Sequence, residues 1–291
     1  MSIVAGTGSE FDKHSAEEDP FIHGVRKVKR ILEDGTEVYD EIPLRQEDLL
    51  FPEEWDRHVI TAGHYRDCSY LHNAFIRQVR DIPDAKVLGD LRVDWSHPEI
   101  RPLGPDVIVV FGVRGWRDWA TIKIAEEGAT VALIVEVTSP DTRNNDLVIK
   151  RDLYYQLGVE YYAIVDRHER RSGVDVRVLG YGRGPTEFEE LPGDERGWIW
   201  LEPVKLWLGV EGDRAVCYDA DGSPIPEVAE LTTLLEGSEQ EKNAALLAAA
   251  AERQRADIER QRADNEARER AALEERIRQL EAELKQQRGT A

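Results

Sequence analysis

Residues 130–166 read TVALIVEVTSPDTRNNDLVIKRDLYYQLGVEYYAIVD, and their order decides the fold. Val131–Val135 is an unbroken apolar run, the mark of a strand covered on both faces. Tyr161–Val165 has the same character. Between them, NNDLVIKRDLYYQLG (144–158) has helical spacing, with Gly158 where a helix ends. Strand, helix and strand in that order imply a crossover between parallel neighbours. Two further strands, Lys86–Trp95 and Asp106–Phe111, precede this unit. The expected class is therefore α/β (α+β), with a central mixed sheet flanked by helices.

Outward from this unit, residues 64–80 form an amphipathic helix, because Cys68, Leu71, Phe75 and Val79 recur at helical spacing. Val25–Ile31 and Glu37–Ile42 predict a hairpin turned at Asp34-Gly35. After the crossover, Asp175–Tyr181, Trp198–Leu201, Lys205–Val210 and Arg214–Tyr218 predict an antiparallel meander. GYGRG (180–184) reads as its hairpin turn rather than a phosphate loop. From about Glu239 the composition turns to Ala, Glu, Arg and Gln, and the heptad at 252–258 nearly repeats at 259–265. Leu273, Ile277, Leu280 and Leu284 have coiled-coil spacing. The expected organisation is a disordered segment over 1–20, a main domain over 21–236 and a long charged helix over 237–291.

The chain has 291 residues and a formal net charge of −20. That excludes binding nucleic acid through a broad basic face. The charge is uneven: residues 61–170 carry a net −3, whereas 1–60 and 171–236 each carry −8. A local positive site in the middle of the chain is compatible with these values. Two cysteines, Cys68 and Cys217, exclude a disulfide framework and a structural zinc site. The first residues lack the pattern of a secretory signal, and the apolar runs are too short to span a bilayer. These features predict a cytoplasmic protein with no membrane association.

Two acids sit where the strand pattern disfavours them. Asp106 opens an apolar strand after Pro105, and Glu136 interrupts VALIVEV. Carboxylates among Val and Ile are costly to bury without a cation. On the 144–158 helix, Lys150 falls inside the arc that carries Leu147, Leu153, Tyr154 and Leu157, so its stem points toward the core. A divalent ion (Mg²⁺ or Mn²⁺) held by Asp106, Glu136 and the backbone carbonyl of Val137 would support phosphodiester hydrolysis, with Lys150 offsetting negative charge. His64 stands one turn before Cys68 and is a supporting candidate. Asp146, an i,i+4 partner of Lys150, and Arg151 complete the set. Cys68 reads as packing, and exposed arginines such as Arg143 are usually solvated.

GPDVIVV (104–110), residues 132–166 and the closing strands resemble the Uma-two family of bacterial restriction-endonuclease-like proteins in the PD-(D/E)xK nuclease superfamily. The resemblance covers roughly residues 40–236. It implies a restriction-endonuclease-like core, a Mg²⁺-type site and DNA as substrate. Pro105-Asp106 is then the PD element and Glu136 the second acid. The superfamily lysine stands two residues after that acid, where this chain has Thr138. Family members resemble this chain in placing a lysine on the next helix, at Lys150. Cutting two strands, together with the helical tail, suggests a homodimer. The alternative is a non-catalytic interaction protein on a degenerate nuclease fold, acting through its tail.

Overall fold

The computed structural model describes residues 19–170 and 173–289. The disorder expected over 1–20 concerns, up to residue 18, residues outside those described. The described chain forms two compact units, divided between Ile225 and Pro226.

Strands β1 (Gly24–Ile31) and β2 (Glu37–Pro43) make the expected hairpin. Gly35 adopts φ +84° at its turn, and the Thr36 N–H donates to Asp34 Oδ1 at 2.9 Å. β3 (Asp56–His58) pairs on the other side of β1. Arg26 on β1 grips Asp56 with two hydrogen bonds of 2.7 and 2.8 Å. Helix α1 (Ala62–Val79) starts at Thr61, whose hydroxyl accepts from the His64 N–H, and it buries Leu71, Phe75 and Val79.

The expected strand Lys86–Trp95 is two strands. β4 (Lys86–Gly89) joins the central sheet, whereas β5 (Arg92–Asp94) leaves it. Asp90, with φ +55°, turns the chain between them. β6 (Val107–Phe111) follows, and then β7 (Thr121–Lys123), which pairs in parallel with β5. A short helix α2 (Ile124–Glu127) leads to β8 (Thr130–Val137). A π-type turn over Asn145–Ile149 opens helix α3 (Lys150–Gln156), and β9 (Tyr161–Arg170) completes the crossover. β8 and β9 are parallel, as strand–helix–strand order requires.

The meander differs from expectation. β10 (Gly173–Arg183) pairs along β9 and extends the central sheet, and β11 (Phe188–Glu190) pairs with β10. Most of GYGRG therefore lies within β10, and the turn comes after it, where the Gly184 N–H donates to Glu187 O at 2.9 Å. β12 (Ile199–Leu201), β13 (Leu206–Glu211) and β14 (Arg214–Tyr218) form a separate antiparallel sheet.

The six-stranded mixed sheet has the order β11-β10-β9-β8-β6-β4. Strand alternation sends Val107, Val109, Leu133, Val135 and Val165 into one core with α1 and the small sheet. Ile108, Val110, Ile134 and Ile164 enter a second core with Tyr154 of α3. The fold is thus α/β with helices on both faces of the sheet. The second unit is helix α4 (Val228–Gly289), which begins upstream of the compositional change at 237. Leu273, Ile277 and Leu280 are exposed along it. Among the described residues, no helix is long and apolar enough to cross a membrane.

Phe75 is fully buried between α1 and the sheet. Phe75→Ala should lower unfolding free energy by about 3–5 kcal/mol, read from urea denaturation.

Candidate active site

The site forms at one end of the central sheet. Glu136 shares the parity of Ile134, so its side chain takes the α3 face of β8. The β6–β8 ladder ends at Val107↔Val135, and one step further sets Asp106 across from Glu136. The Val137 N–H confirms the proximity by donating to Asp106 Oδ2 at 2.7 Å. Gly89 on β4 also fixes Asp106: a Cβ there would stand 2.7 Å from the Asp106 carbonyl oxygen.

The π-type turn before α3 brings Asp146 and Lys150 onto one inward face. Lys150 Nζ lies 3.0 Å from Glu136 Oε1 and 2.9 Å from Asp146 Oδ1. The Tyr154 hydroxyl, one turn further on, donates to Glu136 Oε1 at 2.6 Å. All four side chains are buried. On the opposite wall, His64 Nε2 approaches Asp106 Oδ1 at 3.3 Å.

These contacts split the carboxyls into two kinds. Burial pushes Glu136 well above the usual carboxylate range; Lys150 opposes the shift, while the charges of Asp106 and Asp146 add to it. Burial likewise raises Asp146 against the pull of Lys150. Burial would also raise Asp106, but His64, Lys150 and the Val137 amide outweigh it and hold that carboxyl low. Lys150 itself is held above its ordinary value, because three carboxylates overcome its burial. Asp106 similarly overcomes burial to raise His64.

Three carboxyls and one ammonium thus share this end of the sheet, beside an open cleft of about 630 Å³. Adjacent carboxyls suit a hard divalent cation, which would favour their ionised form and displace the proton that burial holds on Glu136. Asp106 and Glu136 could hold it, and Asp106, Glu136, Lys150 and His64 all line the cleft.

The structure brings together Asp106, Glu136, Lys150, Asp146 and His64, with Val137 present through its amide. It does not bring in Arg151. One residue past Lys150, the helix turns Arg151 away, over the Tyr181 ring at 5.6 Å and beside Asp152. Arg143 pairs with Asp166 at 2.7 and 2.9 Å. Thr138 is buried, but its hydroxyl accepts the Arg167 N–H at 2.8 Å and so is committed to β9.

Two residues escaped the sequence reading. Tyr154 fell in the inward arc but read as apolar packing, since nothing in the pattern shows where its hydroxyl goes. Cys68 packs on the core, as expected, yet its sulfur also lies near His64 and Asp106. The i,i+4 spacing from His64 was the available signal.

Residues 59–211, more than half of the chain, match the Uma2 family model, described as "Putative restriction endonuclease". The chain belongs to the Uma2 family. Every candidate residue named above lies within the matched span. Uma2 membership supports a restriction-endonuclease-like nuclease as the general class. Among solved structures, the Uma2 chain is similar to a "putative nuclease belonging to DUF820" from Anabaena variabilis. The two are 13% identical with a TM-score of 0.33, and the match covers 56% of this chain and 76% of the other. No curated protein matches.

The raised Glu136 carboxyl yields a signed prediction. The folded state holds its proton more tightly than the unfolded state, so this group's contribution to stability falls as pH rises from the ordinary glutamate value through the native one. In chelator-treated protein, Glu136→Gln removes that dependence. Urea midpoints of wild type and variant should diverge as pH rises, with the variant the more stable. Parallel pH curves would show that Glu136 does not titrate in this way.

Proposed function

We propose that this Uma2 protein is a divalent-metal-dependent endodeoxyribonuclease that hydrolyses phosphodiester bonds. The observation that carries the reading is the buried Lys150 ammonium between Glu136 and Asp146, next to Asp106 at the same sheet end. Asp106, Glu136 and the Val137 carbonyl are the proposed ligands of Mg²⁺ or Mn²⁺. When bound, that ion supplies Lewis-acid stabilisation of charge on the phosphoryl oxygens.

The protein groups do the positioning. His64 and the Val137 amide keep Asp106 ionised and fixed for a cation. Lys150 and Tyr154 both hold Glu136 Oε1, which sets the direction of that carboxylate. Lys150 keeps its proton and opposes charge that builds up on the phosphate in the transition state. Asp146 restrains the ammonium from the other side and is a positioning residue. Lys150 thereby takes the role that the superfamily pattern gives to the position of Thr138, whose hydroxyl is tied to β9.

The proposed nuclease unit is residues 21–236, with 237–291 an appended helical element. A DNA substrate fits the weaker negative charge of residues 61–170 once a cation occupies the cleft.

The test is cleavage of plasmid and linear DNA by the full chain with Mg²⁺ or Mn²⁺. Asp106→Asn and Glu136→Gln should abolish cleavage. Lys150→Met should slow it by about 10²–10³-fold, the usual cost of removing one electrostatic stabiliser. Calorimetric uptake of Mn²⁺ should disappear in Asp106→Asn. Absence of cleavage with either ion, or cleavage indifferent to Glu136→Gln, overturns the proposal.

A further inference from the structure

The cleft holds a second donor set whose chemistry differs from that of the carboxylate–lysine network. His64 and Cys68 stand one turn apart on α1, so the helix presents both on one face. Asp106 meets them from the strand side. One ligand atom from each residue lies within 4.8 Å of the others, and His64 Nε2 is 3.3 Å from Asp106 Oδ1. His64 is buried, Cys68 and Asp106 are partly buried, and all three line the cleft. Among the described residues, no other group of three such side chains is this close.

We propose that His64, Cys68 and Asp106 form a transition-metal site that takes Zn²⁺, and that Zn²⁺ bound there withdraws Asp106 from the hard-cation centre and stops hydrolysis. The second half of this statement rests on the nuclease reading; the first half does not. Sulfur, imidazole and carboxylate together suit Zn²⁺, whereas a thiol is a poor donor to Mg²⁺. Tetrahedral zinc with bonds of about 2.0–2.1 Å to nitrogen and oxygen sets those two donors roughly 3.3 Å apart. The His64–Asp106 separation already has that value. Three protein ligands leave the fourth position open to water in the cleft. As zinc binds, the Cys68 thiol and His64 Nε2 each give up a proton to solvent, the imidazole stays neutral with its hydrogen on Nδ1, and no electron is transferred.

Asp106 cannot serve both ions fully. Zinc on Asp106 Oδ1 leaves Oδ2 on the Val137 amide and removes a ligand from the ion shared with Glu136. A site that binds the softer metal more tightly therefore acts as an off switch on the harder one.

The test uses the full, chelator-stripped chain with Co²⁺ as a spectroscopic stand-in for Zn²⁺. The wild type should develop a near-ultraviolet thiolate-to-cobalt charge-transfer band that saturates at one equivalent and is bleached by Zn²⁺. The band should vanish in Cys68→Ser and persist in Cys217→Ser and Glu136→Gln. A wild type without the band, or a band that survives Cys68→Ser, overturns the site. In the same preparation, Mg²⁺-supported cleavage should be lost on adding one equivalent of Zn²⁺ and be spared in Cys68→Ser. Cleavage that persists while the band shows the site filled overturns the off switch. A chain that shows the band but cleaves no DNA overturns the nuclease reading and leaves the zinc site standing.

Discussion

The ammonium of Lys150, buried between the carboxylates of Glu136 and Asp146, is the constraint on which the rest of this structure turns. A lone acid at the inner end of a valine-rich strand would be too costly to ionise. A lone lysine facing the same core would be equally unwelcome. Together they become tolerable, while the nearby charge of Asp106 adds to the burial that keeps the proton on Glu136. A further cation there would favour the ionised form of Glu136. Pairing of this kind commonly adds little net stability, which fits a role in function better than a role in holding the fold.

The sheet makes the arrangement possible. β6 and β8 are antiparallel neighbours, so the start of one and the end of the other meet at one edge, and Asp106 faces Glu136. The parallel step from β8 to β9 obliges the chain to pass over the sheet, and α3 in that passage carries Lys150 and Tyr154 back over Glu136. Thr138, which follows the acid by two residues, is turned to β9 and bonded to the Arg167 backbone. A lysine on the helix reaches the site from the crossover face, where the wall is open to a long side chain.

The two walls of the cleft differ in chemistry. The α3 side offers oxygen donors and a fixed ammonium, as suits a hard cation and a phosphate. The α1 side offers an imidazole and a thiol. Asp106 stands between the two, and its carboxyl is held low by His64, by the charge of Lys150 and by the Val137 amide. Under the proposed nuclease reading, an acidic protein gains from this concentration of function, because the attraction for phosphate would come from an ion in one place rather than from a basic surface.

Local pattern made much of this molecule legible. The apolar runs of β6 and β8, the helical spacing of α1, the Asp34-Gly35 hairpin and the parallel crossover all follow from side-chain periodicity and turn chemistry, which act over a few residues. The same reading singled out Asp106, Glu136 and Lys150, which lie at one sheet end, because a charge inside an apolar pattern is visible without coordinates. Tertiary structure decided the rest. β5 left the sheet for β7, β10 joined β9 rather than the small meander, Tyr154 found Glu136, and Cys68 came beside Asp106. Each of these depends on a partner distant in sequence, and the energy of such a contact exists only once the strands and helices have packed.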